Sequence, residues 1–445
     1  MKHLSEAVAH AHRGEFIRYA SGNFAKSLHE STFSFLYLFY LIDVVGVHPA
    51  TVGTALLLSL LLDAALNPWL GHFIDRTLRG RWSYQRMMLS AAPYSAAFFI
   101  LLFVLPAALL LDAGMEVFLA SVLFKVGSTL VDVPHNALLA RLSPDGYDRV
   151  RLSTWRFFFS SLGNMAIVFV LAPTLTGSGP AAPEDFGAPI ALITAIYLAV
   201  IVYCGTGVTV APPLHTEKSR VPQRSHALWE IARNTRLLRI LLACVLAAAL
   251  ETVFSRTTVF YAKAGLGDAY SATYLVAAQM CGQLVGLPLW QALARKLEKT
   301  STAIAAQLLM AISMGLFFAV SPQSLMFALP LFFLVGVSMG GLTVMNWAIV
   351  PDTIEYTEAA TGRRHEALTF GVLSCVNKVA SGVATALVGW MLAAVDYAHA
   401  DSRDVVAPLI AAMTAIPLLG ALASLVVLAG MRLTYQSHRA LAEKT

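Results

Sequence analysis

The sequence predicts an all-α membrane protein of twelve transmembrane helices, arranged as two six-helix bundles with both termini cytoplasmic. Three observations predict it. Of the 445 residues, 57% are hydrophobic and only 13% are charged. Soluble proteins carry about 25% charged residues, so most of this surface faces lipid. Twelve apolar segments reach the roughly 20 residues that a helix needs to cross the hydrocarbon. Basic residues then fall almost wholly on one side of those segments.

The segments lie near 23–44, 50–74, 87–111, 115–142, 153–175, 188–211, 238–264, 271–294, 302–321, 324–350, 367–394 and 406–431. The longest polar connection, 212–237, follows the sixth. It sets an N-terminal bundle at 1–211, a central cytoplasmic loop, and a C-terminal bundle with a short tail at 238–445. Short cytoplasmic loops retain Lys and Arg. With both termini inside, the inner segments hold 24 of the 31 basic residues and the outer loops hold two, Lys263 and Arg403. The other five, Lys26, Lys125, Arg156, Arg256 and Lys378, lie within spans. No cleavable leader is expected, because the stretch from Met1 to Ala20 is polar and lacks an apolar core.

Composition also narrows the function. The four cysteines are far apart inside apolar segments and fit no disulfide framework or metal spacing. The twelve histidines show no catalytic or metal spacing, and no phosphate-binding Gly-Lys-Ser/Thr motif occurs. No cofactor, metal, enzymatic activity or nucleic-acid partner is expected. The halves echo each other weakly: Pro68 and Asp132 reappear at one common offset as Pro288 and Asp352. Duplicated halves around a central site are a usual transporter plan.

The charges inside spans carry the chemistry. Ionisable groups at membrane depth are costly and mark pathways for ions or solutes. Asp63 stands about 20 Å into span 2, with Asn67 one turn on. Lys26, His29 and Glu30 share span 1, where Lys26 and Glu30 are placed to pair and His29 and Glu30 can titrate. Lys125, Thr129 and Asp132 form one stripe on span 4, expected to line a cavity, and Pro134 follows. Span 7 carries Glu251 and Arg256, and span 11 carries Asn377 and Lys378. Lys378 needs a carboxylate partner, with Asp63 or Asp132 the candidates. Arg156 begins span 5 and reads either as an interface anchor or as a site residue.

Several motifs in collinear order resemble the glycoside-pentoside-hexuronide:cation symporter family: Asp43-Val-Val-Gly46, Asp63 to Trp82, Val131-Asp132-Val-Pro134, Arg156-Phe-Phe, Asp352-Thr-Ile-Glu355-Tyr356 and Asn377-Lys378. Gly71-x-x-x-Asp75-Arg76 with Arg79-Gly-Arg81 resembles the signature loop of the wider major facilitator superfamily. The resemblance implies two bundles working by alternating access around a central cavity. It implies that Asp63 and Thr129 bind the coupling cation and that Lys378 sits among the acids. It assigns Asp132 and Arg156 to the sugar pocket. Gly71, Asp75, Arg76, Arg79 and Arg81, with Asp352 and Glu355, become a cytoplasmic gate.

The chain departs from the family at informative places. A second cation aspartate of the family is Asn67, and a neighbouring asparagine is Leu66. A sugar-contacting aspartate is Ser27, a sugar-stacking tryptophan is Asn136, and Lys125 replaces a glycine. Sodium favours several hard oxygens and net negative charge, whereas a proton needs one titratable carboxylate. Proton coupling is therefore expected rather than sodium, with His29, Glu30 and Glu251 as further carriers. Ser27, Lys125, Asp132, Asn136, Arg156, Glu251 and Arg256 are the expected solute contacts. Deep cations slightly outnumber acids, which leaves room for an anionic solute such as a hexuronide.

The expectation is a monomeric secondary transporter of a sugar, glycoside, uronate or related organic anion in a bacterial inner membrane. A lysolipid or other amphiphile transporter of the same fold, or an uncoupled facilitator, is the alternative.

Overall fold

The computed structural model describes residues 2–77, 83–108, 112–142, 146–171, 183–206, 227–267, 271–361, 365–394 and 402–430. All its regular structure among these residues is helical. The helices are α1 (Lys2–Ser31), α2 (Pro49–Thr77), α3 (Tyr84–Ala108), α4 (Ala113–Leu142), α5 (Gly146–Met165) and α6 (Gly187–Thr206). A short α7 (Ala227–Arg233) precedes α8 (Thr235–Gly265), α9 (Ser271–Lys296), α10 (Lys299–Val320), α11 (Leu325–Thr361), α12 (Glu366–Ala394) and α13 (Ser402–Ala429). Among the described residues, ten helices are long and apolar enough to cross a membrane.

The expected spans 23–44 and 153–175 are not among those ten, and the end of the second, 172–175, lies outside the described residues. The first runs from α1 through wide π-turns at Thr32–Tyr37 and Tyr40–Val44, and it carries Lys26, His29 and Glu30. The second runs from α5 into a π-turn at Ala166–Leu171, with Arg156, Ser160, Ser161 and Asn164 on the way. Both segments carry polar residues among the apolar ones, which lowers their mean hydropathy.

The chain forms two compact units. One comprises 1–144, 155–220 and 365–375; the other comprises 145–154, 221–364 and 376–445. The start of α5 thus packs with the second unit and the start of α12 with the first. In unit 1 an aromatic core forms from Tyr37, Tyr40, Phe99, Phe103, Phe124 and Phe186. In unit 2 Phe254, Tyr261, Phe317 and Phe332 meet in edge-on and tilted pairs, the favoured geometry for ring quadrupoles.

Glycine sets the closest helix contacts. In unit 2, α9 and α11 touch backbone to backbone. A Cβ added to Gly282 would lie 2.0 Å from the carbonyl oxygen of Phe333, and one on Gly336 would lie 2.0 Å from that of Gln279. Lipid supplies no hydrophobic drive for helix association, so close small-residue packing takes its place. In unit 1, α2 meets the start of α12 the same way. Added Cβ atoms on Gly71 and Gly371 would lie 2.5 Å from the carbonyl oxygens of Ala367 and Asn67.

Candidate functional site

In unit 1, Asp63 is buried on α2 and its Oδ1 accepts from Thr129 Oγ1 and from Asn67 Nδ2, each at 3.1 Å. Asn67 Nδ2 also donates to the Asp63 carbonyl oxygen at 2.5 Å. Both groups facing that nitrogen are acceptors, which fixes the amide's orientation. The amide therefore turns its N–H, and not its oxygen, toward the acid. Thr129 and Asn67 are both neutral donors.

A second polar group joins α1, α4 and α5. Lys26 Nζ donates to Asp132 Oδ1 at 2.5 Å and to Asn136 Oδ1 at 3.4 Å. Asn136 Nδ2 donates to Asp132 Oδ2 at 2.8 Å, and Arg156 Nη2 donates to Asn136 Oδ1 at 2.5 Å. Arg156 Nε reaches Asn23 Oδ1 at 3.4 Å. Asn136 thus bridges a cation on each side of it. Arg156 is buried, while the Asp132 side chain is 37% exposed, so a solute can reach this acid. Ser27 pairs its hydroxyl with that of Ser160 at 2.6 Å.

Higher on the same helices, Lys125 Nζ donates to Glu30 Oε2 at 2.8 Å and lies 4.4 Å from the centre of the Phe33 ring. The spacing of Lys26 and Glu30 allows them to pair with each other, yet each bonds to α4 instead. The stripe Lys125, Thr129 and Asp132 is met residue by residue by Glu30, Asp63 and Lys26. It is therefore a seam of inter-helix bonds. In the membrane such bonds spare a lone polar group the cost of facing lipid.

His29 lies elsewhere. Its ring stacks between Phe99 at 3.9 Å and Tyr197 at 3.8 Å, and neither ring nitrogen has a hydrogen-bond partner among the described residues. Lys378 stands half-buried on α12 in unit 2. Glu251 and Arg256 are exposed on α8 in unit 2.

The expected gate residues fall into two networks. In unit 1, the Asp75 carboxylate accepts from the backbone N–H groups of Ala367 at 3.0 Å and Leu368 at 2.8 Å, and from Tyr84 Oη at 3.1 Å. It thereby caps the N-terminus of α12, where the helix dipole favours an anion. Gly71, one turn earlier, allows the close approach this requires. Arg141 Nε pairs with Glu366 at 2.6 Å in the first turn of α12. In unit 2, buried Arg149 binds Asp352 and Glu355, and Lys299 Nζ reaches both Asp352 oxygens at 2.7 and 2.8 Å. Burial disfavours the Arg149 charge, but the two carboxylates outweigh it and hold the guanidinium above its ordinary pKa. Arg79 and Arg81 lie outside the described residues, as does the side chain of Arg76.

Arg141, Arg149, Lys299, Glu366 and Tyr84 are absent from the sequence-derived site. In the sequence Arg141 and Arg149 serve only as topology markers. The signal for Arg149 was its proximity to a span start, but nothing local shows that its partners lie in the other half of the chain.

The membrane-embedded polar groups define a transporter-like protein, and the relatives agree. The chain belongs to the MFS/sugar transport protein family, whose pattern matches residues 18–435. Members of this family are transporters and not enzymes. The chain is 27% identical to the inner membrane symporter YicJ of Escherichia coli, over 93% of this chain and 90% of that one. It is 25% identical to the glucuronide carrier protein homolog of Escherichia coli, covering 84% and 82%. It is 26% identical to the isoprimeverose transporter of Lactiplantibacillus pentosus, covering 88% and 82%. Among solved structures it superposes on FucP, a major facilitator superfamily transporter, with a TM-score of 0.69 at 14% identity, covering 93% of this chain and 99% of FucP. The fold is thus that of the major facilitator superfamily. The protein is a multi-pass protein of the bacterial cytoplasmic membrane.

Proposed function

We propose that this chain is a proton-coupled secondary transporter for a glycoside or hexuronide, with Asp63 as the coupling acid. The observation that carries the reading is the Asp63–Asn67–Thr129 group. One buried carboxylate sits at membrane depth with two neutral donors on one oxygen. Asn67 offers this acid an N–H where a sodium site would want an oxygen ligand. A proton can be taken up at Asp63 without any further ligand.

The solute-binding group is Asp132, Asn136, Arg156 and Lys26, with Ser27, Lys125 and Glu30 beside it. Lys26 and Arg156 flank the single acid Asp132. This balance favours a solute that brings a negative group, and a hexuronide does. The relatives that carry glucuronide and isoprimeverose in their names support the class. Twelve spans, cytoplasmic termini and a monomer complete the proposal. In it, the Asp75 cap on α12 and the Arg149–Asp352–Glu355–Lys299 network close the cytoplasmic side and do not touch solute.

The test is uptake of a panel of glucuronides, pentosides and neutral glycosides into proteoliposomes under an imposed pH gradient. Accumulation of at least one glucuronide or pentoside, lost with a proton uncoupler and indifferent to Na⁺, is the expected result. Accumulation that requires Na⁺ and ignores the uncoupler overturns the coupling assignment.

A further inference from the structure

A small cavity of about 90 Å³ lies wholly within unit 2, between α8, α10, α11 and α12. Glu251, Thr343, Asn346, Trp347 and Asn377 line its polar part. Glu251 stands about 24 Å along α8, a helix of 31 residues, and so near mid-span. Asp132, Asp352, Glu355 and Glu366 have ion-pair partners, and Asp63 has two hydrogen-bond donors. Glu251 makes no hydrogen bond or ion pair among the described residues. Among those residues no Lys, Arg or His borders the cavity, and Cys244 is the other titratable side chain on its wall.

The remaining polar groups are poised to bind a cation. Asn346 is only 5% exposed, lines the cavity and makes no hydrogen bond among the described residues. Asn377 Oδ1 is buried without a partner among them. Thr343 spends its hydroxyl proton on the Met339 carbonyl oxygen at 2.8 Å, which leaves its lone pairs for the cavity. A buried acceptor left unmade costs about 1–3 kcal/mol. Size then decides the ligand class. Pockets for organic ligands run from about 300 Å³ upward, whereas this volume holds several waters or one small ion. One carboxylate among neutral oxygens balances one positive charge. Divalent sites ask for about 6 to 8 oxygens, usually with several carboxylates.

We infer that this cavity is a site for one small monovalent cation, bound by Glu251 with Asn346, Asn377 and Thr343, and separate from Asp63. The cation is either a proton on Glu251 or a sodium ion among the four oxygen donors. The site does not rest on Asp63 being the coupling acid, and the experiment keeps the two apart.

Trp347 on the cavity wall is the reporter. The purified full-length protein is titrated by fluorescence in two arms. One varies pH in choline chloride without sodium; the other varies NaCl against choline chloride at fixed pH. Wild type gives a single-site response in one arm, and that arm names the cation. Trp347→Phe removes the signal. Glu251→Gln abolishes the response while Asp63→Asn keeps it. Asn377→Leu weakens binding about tenfold, which corresponds to about 1.4 kcal/mol. Size-exclusion and melting profiles check that each variant is folded, and Asn377→Leu carries the test if Glu251→Gln is not. A flat wild-type response in both arms overturns the inference. So does a response that Glu251→Gln leaves unchanged, or one that Asp63→Asn abolishes.

Discussion

The two units handle charge at membrane depth in opposite ways. Unit 1 weaves its deep charges into pairs across α1, α2, α4 and α5: Lys26 with Asp132, Lys125 with Glu30, and Asp63 with Thr129 and Asn67. Unit 2 gathers its ion pairs around Asp352 and leaves Glu251 mid-span without a pair among the described residues. The contrast teaches that the cost of an intramembrane charge can be met in two places. Paired charges offset it within the fold and can exchange partners with a solute. A lone carboxylate leaves it to a ligand.

That contrast can be broken, beginning with the tightest network. Arg149→Ala strips Asp352 and Glu355 of a fully buried guanidinium. Removing one partner of a buried pair costs about 3–5 kcal/mol. A fall in melting temperature larger than that of any other single ion-pair variant is expected. Lys26→Met is gentler, because the Asp132 side chain is partly exposed and keeps the Asn136 amide. It should lower solute affinity about tenfold, read as a rise in KM, while the protein stays folded; that factor corresponds to about 1.4 kcal/mol.

Packing gives a smaller effect. Gly336→Ala drives a methyl into the Gln279 carbonyl oxygen and should cost about 1–3 kcal/mol by overpacking. Gly14→Ala meets nothing within 4 Å and serves as the matched control. Tyr84→Phe is the mildest, removing one donor from Asp75 while two backbone N–H groups remain. A loss of about 0.5–1.5 kcal/mol in thermal unfolding is expected. A Tyr84→Phe effect exceeding that of Arg149→Ala would reverse the ranking of the two networks.

Much of this was legible in the chain, and the limits have physical causes. Apolar runs and basic loops located the helices, because both follow from transfer free energy residue by residue. Asp63 stood out because no apolar packing explains an acid at that depth. The partners did not stand out. Spacing along one helix suggested Lys26 with Glu30, but each side chain leans onto α4, and helix-to-helix registry is invisible in a single sequence. Arg149 and Lys299 counted only as inner-side charges, since the acids they hold sit on α11, far along the chain from both. His29 read as a titratable carrier, and its seat between two aromatic rings became visible only with the fold. The stripe on α4 was placed on one face, but whether a polar face meets a cavity or a neighbouring helix is decided by that neighbour.

The central claim is the proposal that Asp63 carries the coupling proton. Its most direct test is the pH of a weakly buffered suspension of proteoliposomes when an accepted glycoside or hexuronide is added without sodium. Wild type should alkalinise the medium as solute enters, and a folded Asp63→Asn protein should exchange solute with no pH change. Solute-evoked proton uptake that survives in Asp63→Asn, or that appears in wild type only with sodium present, would contradict it.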